Sequence, residues 1–453
     1  MGRRFLMFPW QVGAGHTGRC LALAAILGAA GHEVRFAADP TGDMVRAAGL
    51  PVLGGTAAPR RLGLPRRDYL AVTGPDNAYA SVGYYHPVRL REQVERDRAL
   101  IRSAAPDVVV THMQPTAVLA ARCEGVEVVS VADADFFVTG PHEWMPWTVS
   151  DGDVPRLSPF PPSLPAFRQV ARELGLPEPE EVSDLLVGDL ALIASVPEIE
   201  RPAERYLADP RIHYVGPLLW DPDTEGELGR RLDSFGTADD TRVYVSVGGG
   251  AVAATDMASA AVGAADTEPW ALLLATGQAP SPESVPPDAR VLLHRFGGLR
   301  AAADWADVVV CHGGHSTVLA GLLAGKPVLV IPAMSENEGN GRSMVEDTGA
   351  GLCLRKTGAK PTAVPVGSDA VARGKPIASV VSRWSLPGGD PRPELDSELL
   401  AAAVRLLHSA PTYKQRATAL GARLRAAADE APERVLGLLD EAGLLKAAAR
   451  TRP

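Results

Sequence analysis

The sequence predicts an α/β protein made of two facing Rossmann-like domains with a ligand cleft between them, and three observations predict it. Short β-like runs alternate with longer helical ones, the pattern of parallel sheets covered by helices. That pattern breaks at an acidic stretch punctuated by Pro and Gly, His213–Thr241, and then restarts. A chain of 453 residues also exceeds what one ordinary core serves. In such doubly wound folds the ligand sits outside the carboxyl ends of the strands, so two halves place it between them.

The strands expected in the first half are Phe5–Phe8, Val34–Ala38, Asp107–Thr111, Val126–Val131 and Ala191–Val196. Helices are expected at Thr17–Ala30, Arg89–Ala104 and Thr116–Cys123, with Pro106 closing one helix ahead of the buried run VVV. After the break, Arg242–Val247, Trp270–Leu274, Ala289–Leu293, Val308–Cys311 and Val328–Ile331 read as strands. The expected organisation is a first domain over 1–220, a linker over 221–241, a second domain over 242–410 and amphipathic C-terminal helices over 411–453. Residues 357–394 are rich in Pro and Gly with little periodicity, and read as a surface insertion.

Composition narrows the function. Hydrophobic residues are 46% and charged residues 22%, ordinary for a globular protein, and the net charge of −9 argues against a dedicated nucleic-acid or membrane-surface binder. Cys20, Cys123, Cys311 and Cys353 are far apart with no C-x-x-C pair, which suggests neither a zinc site nor a disulfide framework. The basic N-terminus leads into too short an apolar run for a signal segment, and Leu21–Gly31 is half a membrane span. A cytoplasmic protein without a membrane span is expected.

Residues 12–18, VGAGHTG, fit the dinucleotide fingerprint G-x-G-x-x-G at Gly13, Gly15 and Gly18, and Asp39 lies where a ribose-binding acid belongs. Two features count against that use. Pro9-Trp-Gln-Val12 separates the strand from the first glycine, and a second, stronger phosphate cradle occurs later in the chain. There the apolar run ending at Cys311 is followed by His312, Gly313, Gly314, His315, Ser316 and Thr317, and then by a helix. Two glycines let backbone approach a ligand, and the hydroxyls of Ser316 and Thr317 join the free N–H groups of the helix start, a design for phosphate. His312 can donate one hydrogen bond more. The next strand ends in a loop carrying Ser335, Glu336, Asn337 and Asn340, a carboxylate and amides suited to sugar hydroxyls. A diphosphate cradle beside a hydroxyl-binding loop implies a nucleotide-sugar donor.

At these residues the chain resembles the GT-B-fold glycosyltransferases of the family that includes the UDP-glycosyltransferases and the bacterial antibiotic glycosyltransferases. The bacterial branch carries H-H-G-G-x-G-T and, about twenty residues on, a D-Q-x-x-N-A-R-type loop. Here stand His312-Gly-Gly-His-Ser-Thr317 and Glu336-Asn337-x-x-Asn340-Gly-Arg342. The resemblance implies that His312, Gly313, Gly314, Ser316 and Thr317 bind the donor diphosphate and that Glu336 and Asn337 bind the sugar. VYVSVGGG resembles the first strand and loop of the donor domain, which brings in Gly248 and Gly249, and VLLHRFGGL puts Phe296 where an aromatic stacks on the base. It also implies that His16, in the loop after the first strand, is the general base for an inverting, metal-independent transfer to an acceptor hydroxyl. No cofactor is expected beyond a UDP- or dTDP-sugar co-substrate; Ala320 replaces the ribose-binding acid of plant relatives and keeps dTDP open.

One position departs from the family. Where P-D-x-x-V-x-D supplies an Asp to orient the base, PDVVVTH has His112, which is expected to contact His16, bind acceptor or fill space. Asp133 and Asp135 are alternative sources of the carboxylate, and Asp135 is placed in the catalytic set. His315 is expected only to pack its loop. The aromatic stretch 132–164 favours an apolar acceptor pocket, with Phe136, Phe137 and Trp144 beside His112 as its lining. A small natural-product-like acceptor follows, and a homodimer is left open. Two rival functions use the same residues: a nucleotide- or partner-binding protein without transfer, and a sugar-nucleotide epimerase. The epimerase wants a carboxylate-rich pocket, which the sequence does not obviously supply.

Overall fold

The computed structural model describes residues 2–10, 13–37, 41–54, 74–137, 161–221, 226–248, 254–277, 290–295, 297–332, 335–357, 383–385 and 395–445. The first half is built on strands β1 (Arg4–Pro9), β2 (Glu33–Ala37), β3 (Val52–Leu53), β4 (Val108–His112), β5 (Glu127–Ala132), β6 (Leu190–Ile193) and β7 (Ile212–Tyr214). They form one parallel sheet in the order β3-β2-β1-β4-β5-β6-β7. The second half has β8 (Thr241–Ser246), β9 (Trp270–Ala275), β10 (Val291–His294), β11 (Val308–Cys311), β12 (Val328–Val330) and β13 (Gly351–Cys353), parallel in the order β10-β9-β8-β11-β12-β13.

Both orders begin 3-2-1-4, so each sheet reverses direction beside its own first strand. The crevices open at β1/β4 and at β8/β11, and these are the places where doubly wound sheets take ligands. The central strands are apolar on both faces because helices cover both. Two buried clusters flank the first sheet, one around Leu6, Phe8 and Val109 and one around Phe5, Met7 and Val110. Two others flank the second in the same way.

Every expected strand of the first half is present to within a few residues. β3, β7 and β13 were not legible. Each is two or three residues long, β3 and β13 sit at sheet edges after a proline or beginning with a glycine, and β7 is only half-buried. Short edge strands carry no periodicity to read. The helix expected at Thr17–Ala30 starts earlier, at Ala14, with Gly13 as its N-cap. Gly15 and Gly18 are therefore helical residues. At the start of the stretch expected as an insertion, Arg355–Thr357 pairs antiparallel with Arg383–Ser385 within it.

The helix Pro411–Glu441 joins the halves. Ala417, Leu420 and Leu424 lie in a core of the second sheet, while Ala431, Val435 and Leu439 lie in a core of the first. Pro432 lies inside that helix, one residue after Ala431, where the second contact set begins.

Candidate active site

The site grows from the ends of the four strands that border the two crevices. On the donor side, β8 runs out to Gly248 and β11 to His312. Gly248 has φ +79°, and a Cβ there would lie 2.3 Å from His312 Cε1. Only glycine leaves room for the imidazole. Gly313 has φ +90°, and its Cβ would meet the Asn337 carbonyl at 2.4 Å, so the loop after β12 rests directly on the loop after β11. Asn340 Nδ2 fixes that contact by donating to the Gly313 carbonyl at 2.9 Å. The helix Ser335–Asn340 then passes into a π-helical turn at Gly341–Glu346, a local irregularity frequent at functional sites.

The helix His315–Leu323 begins at Gly314 with no side-chain cap, so its first amides are left to an external acceptor. Ser316 and Thr317 stand in that first turn. Burial pushes His312 down to about 4, against a backbone hydrogen bond at Ser246, so at neutral pH it is an uncharged imidazole. Burial, with Asp133 next, pushes Glu336 up to about 7.

On the opposite side His16 stands in the first turn of the helix Ala14–Ala29. Its ring packs against Trp10 at 5.2 Å and meets His112 edge to face at 5.0 Å and 86°. The strand end that holds these rings has a simple cause. Pro9 pairs with His112 across β1 and β4 but has no N–H, and the next amide, of Trp10, bonds the His112 carbonyl at 2.8 Å. The two sides meet at Gly15, where a Cβ would lie 3.4 Å from Ser316 Oγ. The first turn of the helix that carries the expected base thus abuts the expected phosphate cradle.

Behind His16 is a cluster of buried charge. Arg19 Nη1 lies 2.9 Å from Asp133 Oδ2 and 3.0 Å from His112 Nε2. His315 Nε2 donates to Glu200 Oε2 at 2.8 Å, linking the donor half to the acceptor half. His315, expected only to pack its loop, is therefore the hydrogen-bond partner of Glu200. Burial opposes the charge on Glu200, but His315, Ser195 and Arg19 together outweigh it and hold the carboxyl below its usual range. Asp135 is 3% exposed, and burial together with Asp133, Glu200 and Glu336 raises its carboxyl well above the ordinary value. The sequence offered no obvious carboxylate-rich pocket; the fold brings Asp133 and Asp135, neighbours at the end of β5, together with Glu200 and Glu336 from distant parts of the chain. Asp133, Glu200 and His315 present ligand atoms within 4.8 Å of one another. Within that group Arg19 engages Asp133, and His315 engages one oxygen of Glu200.

Of the two aspartates considered as substitutes for the missing orienting carboxylate, Asp133 carries the ion pair behind His112. Phe136 and Phe137 are buried in the acceptor-half core, Phe136 against Trp10 at 6.3 Å and Phe137 against Tyr206 at 5.7 Å. Trp144, Gly249 and Phe296 lie outside the described residues. Sequence reasoning missed Arg19 and Glu200. Arg19 did leave a signal, being the one charged residue between His16 and His32 in an apolar helix; Glu200 left none.

The glycosyltransferase family 28 C-terminal domain matches residues 244–374, the half that carries the phosphate cradle. The chain is 27% identical over 385 residues to a PGL/p-HBAD biosynthesis rhamnosyltransferase of Mycobacterium bovis, covering 78% of this chain and 77% of that protein. Its fold is similar to that of the glycotransferase of kitacinnamycin, with a TM-score of 0.64 at 21% identity over 98% of this chain and all of that one. It is also similar to the Streptomyces sp. SF2575 glycosyltransferase SsfS6 complexed with thymidine diphosphate, at a TM-score of 0.58, 17% identity, and coverage of 97% and 99%. The architecture is that of the GT-B glycosyltransferases. The chain is a glycosyltransferase of this type, similar to those that act on antibiotics and related natural products. Among the described residues no helix is long and apolar enough to cross a membrane.

Proposed function

We propose that the protein moves a sugar from a dTDP- or UDP-sugar to a hydroxyl of a small, partly apolar acceptor, with inversion at the anomeric carbon. The observation that carries this is the apposition of the His16 loop and the helix start at Ser316, 3.4 Å from a Cβ placed on Gly15. A base on one side and a diphosphate cradle on the other leave the reacting centre between them. His16 takes the acceptor proton as the acceptor oxygen forms its bond to the anomeric carbon. The bond from that carbon to the diphosphate breaks, and its electron pair leaves on the diphosphate oxygen. The uncapped amides of the helix at His315, with Ser316, Thr317 and neutral His312, take up that charge. Glu336 and Asn337 hold the sugar, and near neutral pH Glu336 is poised between donating and accepting hydrogen bonds. The thymidine diphosphate held by SsfS6 supports dTDP as one donor nucleotide.

The test incubates wild type and His16→Gln with dTDP- and UDP-sugars and a panel of phenolic and polyketide alcohols, reading products by mass spectrometry and anomeric configuration by NMR. Inverted glycoside from wild type, at least about 100-fold less from His16→Gln, is expected. A retained anomer, or an equally active variant, would contradict it. The carboxylate cluster favours one second reading, epimerisation of the sugar nucleotide, which would turn the donor over with no acceptor present.

A further inference from the structure

β5 lies beside β4 with Val131 across from His112, so the chain leaving β5 carries Asp133 and Asp135 at the same carboxyl edge. The two aspartates meet opposite surroundings. Asp133 is held by Arg19 at 2.8 and 2.9 Å. Asp135, in the short 3₁₀ turn Ala134–Phe136, is 3% exposed, and its Oδ1 is buried with no hydrogen-bond partner. Four groups act on it: Asp133 from its own strand end, Glu200 from the segment after β6, Glu336 from the helix after β12, and Arg19 from the first helix. Three of them are carboxyls, and Arg19 is already engaged by Asp133 and His112. His315 is bonded to Glu200. A buried carboxylate in that company has nothing to offset its charge, so Asp135 stays a neutral acid near neutral pH. A neutral carboxyl carries one O–H, and a buried O–H calls for an acceptor.

We propose that Asp135 reads the donor sugar from the acceptor half, donating one hydrogen bond to a ring hydroxyl that Glu336 and Asn337 hold from the donor half. The proposal rests on the reading of the Glu336 loop as the sugar-binding loop. Glu336 acts on Asp135 from the other half, so the turn after β5 and the helix after β12 approach one another. A sugar hydroxyl both accepts and donates. A neutral acid from one half and a carboxylate from the other satisfy both of its roles. Burial, with Asp133 next, raises Glu336 only to about 7, so at mildly alkaline pH it accepts while Asp135 keeps its proton. The neutral form also suits the reaction. An ionised Asp135 would oppose the negative charge that develops on the leaving diphosphate, and a neutral one does not. The contact is made to the sugar, so a bare nucleotide diphosphate does not feel it.

The test is calorimetry, at mildly alkaline pH, of wild type, Asp135→Asn and Asp135→Leu with dTDP, UDP and the glucose and rhamnose conjugates of each. The bare nucleotides should bind all three proteins alike. At least one sugar nucleotide should bind Asp135→Asn, which still donates, within about twofold of wild type, and Asp135→Leu about 10-fold more weakly, the loss of one hydrogen bond. Infrared difference spectra add a readout that does not depend on the Leu variant. Wild type should show the carbonyl stretch of a protonated carboxyl that Asp135→Asn lacks and Glu336→Gln keeps, and the sugar nucleotide, not the bare nucleotide, should shift it. A poorly folding Asp135→Leu therefore leaves the test intact. An ionised Asp135 in wild type, or an Asp135→Leu that binds sugar nucleotides as tightly as wild type, would overturn the proposal. Failure of both bare nucleotides to bind wild type would overturn the donor reading itself; nucleotide binding with no sugar-dependent shift of the band would overturn the role of Asp135 alone.

Discussion

The two crevices share a strand order but are built from different material. At β8/β11 the donor edge is mostly backbone: glycines that leave room for His312, an uncapped helix start, and a loop pinned by Asn340. At β1/β4 the acceptor edge is mostly side chains, with aromatic rings around His16 and buried charges behind them. Backbone suits a ligand part that every donor shares, the diphosphate. Side chains suit a step in which one proton moves and one acceptor is chosen.

The largest expected effect separates the edges by chemistry. His16→Gln should lower turnover about 100- to 10,000-fold while leaving nucleotide binding within about twofold of wild type, read by steady-state rates and calorimetry on the same preparation. Equal losses in both would mean that the two edges are not divided in this way.

The next effect concerns what joins them. Glu200 and His315 are both buried and reach across from one half to the other. Glu200→Ala leaves His315 without its partner and should lower the unfolding free energy by roughly 3 kcal/mol. In a double-mutant cycle, adding His315→Ala should cost far less than it does alone; strict additivity would show that the pair does not couple the halves.

Buried charge in the acceptor half extends beyond the cleft. Asp97 accepts from Thr116 at 2.6 Å and Gln93 at 2.9 Å, and burial pushes it up to about 7. A carboxyl raised on folding contributes stability below its unfolded pKa that is lost as pH rises through the folded value. Wild type should therefore lose on the order of 2 kcal/mol relative to Asp97→Asn between pH 4 and 7.5, followed by urea melts. A constant difference across that range would contradict the raised value.

The smallest effect sharpens the picture of the donor edge. Gly248→Ala drives a methyl into His312 and should weaken dTDP or UDP binding about 10-fold, with a loss of about 1 to 3 kcal/mol in stability from the overpacking. Unchanged affinity would show that His312 can move aside.

The same contrast explains what could be read from the sequence. The β8/β11 edge was legible because its parts are contiguous: His312 to Thr317 and Glu336 to Asn340 are two short runs, and the fold brings their loops into contact. The paired sheets were legible because central strands are continuous apolar runs. The β1/β4 edge was legible at His16, His112 and Asp133, but Arg19 and Glu200 come from separate parts of the chain, and nothing local to either names its partner. His315 illustrates the limit: its position in the loop could be read, but its partner 115 residues away could not.

The most direct measurement is a calorimetric titration of dTDP and of UDP into wild type, His312→Ala and His16→Gln. The expected result is binding of at least one nucleotide, weakened about 10-fold or more by His312→Ala and left alone by His16→Gln. No binding of either nucleotide, or equal binding by all three proteins, would contradict a donor cradle at β8/β11 facing a base at β1/β4.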